Sequence, residues 1–279
     1  MGIQCIALDL DRTTLNGEGK LSQENREAIQ DAIRHGIEVV VASGRALCSL
    51  PKEILEIPGI RYAITSNGAA VYEIHSGKCL CQYKMTENSV KQIMELTEAL
   101  PVAYEAFIDG TAYGQEAYIQ DPVRFGATQK AISYIQTTRR PVKDMKAFIF
   151  DHRQVLDSMD IVTPSQELKE KLWITLEKNV EDVYITSSIR QLLEISYKKS
   201  GKHMGAAFLL EYLGMNRENL AAFGDGDNDA ELLRYAKLGF AVENGTEACK
   251  HAADELVPSH DADGVARGIE RILQKGKEI

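Results

Sequence analysis

The sequence has no Cys-x-x-Cys pair, no excess of positive charge and no apolar run near the ~18 residues of a membrane span. Each absence removes a class of function. The five cysteines, Cys5, Cys48, Cys79, Cys81 and Cys249, are odd in number. Cys79 and Cys81 would share one face of a strand, yet no second pair completes a zinc set. Reduced thiols in a cytoplasmic protein are the expectation. The N-terminus lacks a basic region followed by a long apolar stretch, so no signal peptide is expected. Acidic residues (41) outnumber basic ones (32), for a net charge of −9 and a pI near 5.3. Nucleic acid and anionic membrane surfaces would be repelled, so neither is expected as a partner. A small anion stays possible where a local site supplies positive charge. Repeats and low-complexity segments are also absent.

What is present is ordinary globular composition, 44% hydrophobic and 26% charged over 279 residues. That suffices for one large domain or two modest ones. The first third alternates in type. "IQCIALDL" reads as a strand and "TTLNGEGKLS" as a short hairpin or flap. Ser22 is placed to cap a helix in "QENREAIQDAIRHG", which Gly36 stops. "IEVVVASGR" is an apolar run suited to a strand covered on both faces. A short helix is expected near 45–55, then a strand and a turn at Asn67-Gly68. The last third repeats the style, with a helix near 202–213, strand-loop-helix in "LAAFGDGDNDAELL", and a terminal helix in "DGVARGIERIL". This alternation predicts an α/β fold, a doubly wound parallel sheet with right-handed crossovers.

The middle differs. "SVKQIMELTEAL" and "SQELKEKLWITLEK" read as helices, while "VAYEAFIDGTAYG" and "VYITSSIRQLLEIS" read as strand pairs. An α+β domain spanning 84–197 is therefore expected, inserted between core segments 1–83 and 198–279. Its aromatics Tyr104, Phe107, Tyr113, Tyr118 and Trp173 are expected to form its own core.

The sequence raises one electrostatic problem. Asp9 and Asp11 stand at the end of an apolar strand, and two-residue periodicity would point both the same way. Ser43 and Asp225 end two further strands, and ligands of open α/β sheets bind beyond such carboxyl ends. Taken singly, each has a plain explanation: Ser43 as a helix N-cap, "GDGDND" as a loop with acidic caps, Lys202 as a solvated lysine. A calcium loop lacks its glycine and glutamate at the required positions. Taken together, Asp9, Asp11, Asp225, Asp227 and Asp229 would crowd one sheet edge. Like charges so placed need a cation, and oxygen donors without histidine or cysteine suit Mg²⁺. A carboxylate nucleophile, a cation, a hydroxyl and a lysine together suggest phosphoryl transfer.

"DLDRTTL" resembles the DxDGT signature of the haloacid-dehalogenase superfamily of phosphatases. "VVVASGR" resembles its second motif, "GKHMGAAFLLEYLG" its lysine motif and "FGDGDNDAELL" its GDxxND metal motif. The motif order, the insert and "TSNGA" at 65–69 resemble the Cof-type branch (subclass IIB), which carries a C2-type α+β cap. The resemblance implies a Mg²⁺-dependent phosphatase of small phosphorylated metabolites, sugar phosphates foremost, working through an aspartyl-phosphate. It implies Asp9 as nucleophile and Asp11 as acid and then base. Ser43, Gly44, Arg45, Asn67, Asn228 and Lys202 would hold phosphate or substrate. Mg²⁺ would bind Asp9, Asp225 and the carbonyl of Asp11, with Asp229 as an anchor behind them. Lys202 is preferred to Lys198 and Lys199 for its spacing before "LEYLG".

Two positions depart from the pattern. Arg12 stands where glycine is usual, and Thr14 where leucine is usual. If position 12 needs a positive φ, arginine is strained there; its side chain turns to solvent or reaches toward an anionic substrate. Asp11 would also have to hold its proton near neutral pH. From an ordinary value of ~3.9, three units of elevation cost about 4 kcal/mol, which desolvation by the cap could supply. The alternatives are a phosphomutase or phosphotransferase, and a catalytically silent phosphate-binding protein. A receiver domain would not carry an insert between its Ser and Lys motifs. The substrate and the oligomeric state are not legible.

Overall fold

The computed structural model describes residues 2–275; Met1 and residues 276–279, at the outer ends of the expected core segments, lie outside the described residues. Along the chain the strands are β1 (Cys5–Leu8), β2 (Glu38–Ala42), β3 (Tyr62–Thr65), β4 (Ala70–Glu73), β5 (Lys78–Gln82), β6 (Ala103–Ile108), β7 (Thr111–Gln115), β8 (Arg140–Val142), β9 (Ser158–Val162), β10 (Val183–Thr186), β11 (Leu192–Tyr197), β12 (Leu220–Gly224), β13 (Leu238–Val242) and β14 (Glu255–Val257). The protein is of the α/β class. The chain divides into two compact units: residues up to Arg45, Leu50–Cys81 and from Gly201 onward form the first, and Ala46–Ser49 with Gln82–Ser200 the second.

The first unit carries an eight-stranded sheet in the order β14-β13-β12-β1-β2-β3-β4-β5. From β14 to β3 all neighbours are parallel. β1, β2 and β12 are buried along their whole length, as a sheet covered on both faces requires. The helix Gln23–Arg34 starts where Ser22 Oγ accepts the Asn25 amide at 3.1 Å. Asn25 then joins three elements: its Nδ2 donates to the Thr14 carbonyl (3.1 Å), and its Oδ1 accepts the Ala266 amide (2.9 Å) of the terminal helix Gly264–Lys275. One difference from the sequence pattern is that β4 runs antiparallel to β3. The four residues 66–69 between them are too few for a crossover, so the chain can only turn back.

The second unit carries a six-stranded sheet in the order β10-β11-β9-β6-β7-β8. Tyr104, Met159, Ile161, Leu193 and Ile195 on one face pack with Val90, Ile93, Ile149, Leu172 and Leu176 from helices Glu87–Thr97, Met145–Asp151 and Gln166–Asn179. Tyr104 is buried, its hydroxyl donating to Thr97 Oγ1 at 2.8 Å, and Phe107 and Tyr118 are buried too. The sequence pattern does not reveal β9, although it sits between β11 and β6. Asp160 breaks its apolar run, lying in register with Glu105 on one side and Glu194 on the other. Burial, then Glu194 and Glu105, push the Asp160 carboxyl well above its ordinary pKa. Arg139 answers this charge by gripping both oxygens of Glu105, at 2.8 and 3.0 Å.

Gly268 marks where the terminal helix meets the first sheet. A Cβ there would lie 2.2 Å from Cε1 of Phe223, whose ring is stacked on Phe240 at 4.6 Å. Alanine is the better helix former by ~1 kcal/mol, but the overlap should dominate. Gly268→Ala is expected to destabilise the protein by about 1–3 kcal/mol in urea unfolding; an unchanged midpoint would show that the stacked rings yield.

Candidate active site

Strand order reverses at β1, which has β12 on one side and β2 on the other. At such a point the loops beyond the strands diverge and leave a crevice. Asp9 follows β1, Ser43 follows β2 and Asp225 follows β12. The Asp9 amide continues the ladder by donating to the Phe223 carbonyl at 3.1 Å, which fixes where its side chain begins.

Asp9, Asp225 and Asp229 are buried, and each offers a carboxylate oxygen within 4.8 Å of the others. Lys202, with a side chain 0% exposed, reaches into this group from the first residue of the helix Lys202–Tyr212. Its ammonium donates to Asp9 Oδ1 at 2.7 Å and Asp229 Oδ1 at 2.6 Å. Asp229 Oδ2 accepts the amides of Asp225 and Gly226 (3.1 and 3.0 Å), so one oxygen of Asp229 holds Lys202 and the other holds the loop. The energetics follow from the count of charges: three buried carboxylates face one buried ammonium. Burial and then Asp229 raise the Asp9 carboxyl well above its ordinary pKa, against the pull of Lys202. Burial and Asp229 likewise push Asp225 up to about 7. For Lys202, burial opposes the charge, but Asp229 and Asp9 outweigh it and raise its pKa.

Asp9 and Asp11 do not share a direction. β1 ends at Leu8, and Leu10–Thr14 winds through an irregular turn in which Asp11 has φ −70, ψ 119 and Arg12 φ 61, ψ 14. Two-residue alternation therefore no longer applies. The Asp11 side chain is 53% exposed and held by Arg45, whose Nε and Nη2 donate to its two oxygens at 2.8 and 2.5 Å. Thr14, the other departure, is fully buried; its Oγ1 donates to the Asp9 carbonyl at 2.5 Å and closes the turn. Asp227 also stands apart: it is exposed, and accepts from Thr246 Oγ1 at 2.7 Å.

Ser43 is buried, and its Oγ accepts the Arg45 amide at 3.1 Å, bracketing the half-buried Gly44. The loop after β3 closes over this segment. The Ser66 amide donates to the Arg45 carbonyl (3.0 Å) and the Asn67 amide to the Ser43 carbonyl (3.1 Å). Asn67 Oδ1 in turn accepts from Asn228 Nδ2 at 2.9 Å, linking the β3 and β12 loops. Ser66, Asn67 and Gly68 all have positive φ. Glycine is required at 68, where a Cβ would lie 2.0 Å from the Gly201 carbonyl beside Lys202.

Two further participants escaped the sequence reading. Thr13 Oγ1 donates to Asp225 Oδ1 at 3.3 Å. Asn244 donates from Nδ2 to the Arg12 carbonyl at 2.8 Å. Only its Asn-Gly turn signal after β13 marked Asn244 in the sequence.

The residues present fit a divalent cation. The donors are hard oxygens, the group carries more buried negative than positive charge, and Asp9 and Asp225 keep carboxylate capacity that Lys202 does not use.

A family model of haloacid dehalogenase-like hydrolases matches residues 6–269. The phosphatase YwpJ of Bacillus subtilis is 30% identical over 97% of this chain and 100% of its own. Among solved structures, a haloacid dehalogenase-like hydrolase from B. subtilis aligns with a TM-score of 0.84 at 28% identity, covering 96% of this chain and 99% of that one. The HAD subclass IIB sugar phosphatase BT4131 aligns with a TM-score of 0.83 at 19% identity, over 96% and 98% of the two chains; at that identity it shows the fold alone.

Two outcomes are expected from the site's electrostatics. In metal-free protein, Asp225 binds its proton more tightly folded (about 7) than at its ordinary 3.8, and Asp9 shifts in the same direction. The Asp225 contribution to stability is full below its ordinary value and is lost as pH rises through about 7, and Asp9 acts in the same sense. The melting temperature of chelator-treated protein should fall across that window, and less so in Asp225→Asn. Lys202→Met removes the one ammonium from two buried carboxylates, and should destabilise the protein by about 3–5 kcal/mol in denaturant unfolding; a loss below about 1 kcal/mol would mean that the carboxylates find other partners.

Proposed function

We propose that this chain, which belongs to the haloacid dehalogenase-like hydrolase family and is one of its phosphatases, hydrolyses small phosphorylated metabolites, sugar phosphates foremost, by way of an Asp9-linked phosphoryl group and with Mg²⁺. One observation carries this reading: a buried carboxylate at the end of β1 has one oxygen tied to a buried lysine and lies against two further carboxylates. Such a group is held in orientation and leaves its second oxygen for attack on phosphorus.

In the first step that oxygen bonds to phosphorus as the ester oxygen departs, and Asp11 gives the departing oxygen a proton. In the second, Asp11 takes a proton from water, the water oxygen bonds to phosphorus, and the bond to Asp9 breaks to release phosphate. Asp11 starts with both oxygens engaged by Arg45, so that pair must part during the cycle. Ser43, Gly44, Arg45 and Lys202 would then hold the phosphoryl oxygens, and Asn67 with Asn228 the substrate beside them. Bound Mg²⁺, held by Asp9, Asp225 and the Asp11 carbonyl, would supply neutralising charge to the transferring group. Asp229 keeps Lys202 and the β12 loop in place.

Residues 84–197 are assigned as the cap that selects the substrate. The phosphatase relative at 30% identity supports a phosphorylated substrate. A cytoplasmic location is supported by the five free cysteines, and no described helix is long and apolar enough to cross a membrane. The test is a screen of phosphorylated metabolites with Mg²⁺. Asp9→Asn should lower kcat/KM by at least about 10³-fold, and chelation should abolish turnover that Mg²⁺ restores. Hydrolysis surviving in Asp9→Asn would refute the covalent route.

A further inference from the structure

We infer that Arg12 is a resident counter-cation for Asp225 that competes with the divalent ion, so that this chain binds Mg²⁺ more weakly than it would with an uncharged residue at position 12. The inference rests on the metal-dependent reading above and deepens it. Arg12 occupies the left-handed region, φ 61 and ψ 14, which glycine enters freely and arginine does not. The backbone is held there by Asn244, whose Nδ2 donates to the Arg12 carbonyl at 2.8 Å. Asn244 Oδ1 is itself fixed by the His260 amide at 2.9 Å. The side chain folds back over the same loop: Nη2 donates to the Asn244 carbonyl at 3.5 Å, and Nε lies 3.8 Å from Asp225 Oδ2.

The position of that guanidinium matters because of where Lys202 points. Its ammonium is used by Asp9 and Asp229. Among the described residues, the cation paired with Asp225 is Arg12. Three carboxylates therefore face two cations, where an uncharged residue at 12 would leave them facing one. An entering Mg²⁺ meets a weaker negative field and must share Asp225 with a positive group already beside it. The Arg12 side chain is 56% exposed, so solvent and salt moderate the effect.

Binding of Mg²⁺ to the full chain without substrate, followed by calorimetry and by the metal-induced rise in melting temperature, tests this. Arg12→Gly and Arg12→Ala should both tighten the Mg²⁺ Kd by roughly three- to tenfold at low ionic strength, with a smaller change at high salt. Arg12→Lys, which keeps the charge, should stay within about twofold of the parent. Unchanged or weaker binding in Arg12→Ala would overturn the inference. So would tightening confined to Arg12→Gly, which would trace the effect to backbone relief and not to charge. Failure of the parent chain to bind Mg²⁺ at all would overturn the metal-dependent reading itself, a result distinct from equal binding by parent and variants.

Discussion

The loops beyond β1, β2, β3 and β12 are arranged around a surplus of buried negative charge. Asp9, Asp225 and Asp229 lie within 4.8 Å of one another at the switch in strand order, where water is largely excluded. Carboxylates so placed would neutralise by taking up protons unless cations were supplied. Lys202 is the structural answer for two of them. It is fully buried, and the helix that begins with it is anchored where Gly68 and Gly201 approach too closely to admit a side chain. Removing Lys202 would leave two buried carboxylates without their shared cation, so these residues are bound to one another energetically as well as by geometry.

The loops that deliver these groups are held in backbone conformations that cost free energy. Among the described residues, four of the five non-glycine residues with positive φ lie in loops of the first unit, and three of those, Arg12, Ser66 and Asn67, are in loops at the site. Each is over-determined by its surroundings. Ser66 and Asn67 donate to the carbonyls of Arg45 and Ser43, Asn67 is tied to Asn228, and Arg12 is gripped by Asn244. Strain retained in this way keeps polar groups in fixed positions, as the preorganised electrostatic catalysis of the proposed reaction would demand.

How much of this was legible depended on whether local pattern and tertiary environment agreed. Continuous apolar runs revealed β1, β2 and β12, because a doubly covered parallel sheet leaves no polar face. Ser22 announced its helix through a capping geometry that needs only neighbouring residues. β9 was illegible because Asp160 interrupts it, and that residue is tolerated only through partners far away in sequence. The separation of Asp9 from Asp11 was hidden for a similar reason. It depends on the strand ending at Leu8 and on an arginine at 45 that receives Asp11, neither of which periodicity encodes. Asn244 could not be weighed at all without knowing that its loop lies against the turn at Arg12.

That separation also places two chemically identical side chains in different settings, as the proposed reaction requires. Asp9 sits among buried charges with one oxygen fixed, a setting that suits its proposed role as nucleophile. Asp11 stands at the exposed side of the same turn, and both its oxygens are engaged by a cation that the proposed reaction also needs for the phosphoryl group. Arg45 cannot satisfy a bidentate carboxylate and a phosphoryl dianion with the same donors. In the proposed reaction, an arriving phosphate that took Arg45 would free Asp11, so the proposed proton donor would become available when there is an oxygen to protonate. A carboxylate pair converging on one point, as strict strand alternation would have it, could not be controlled in this way, because anything that changed the environment of one would change that of the other.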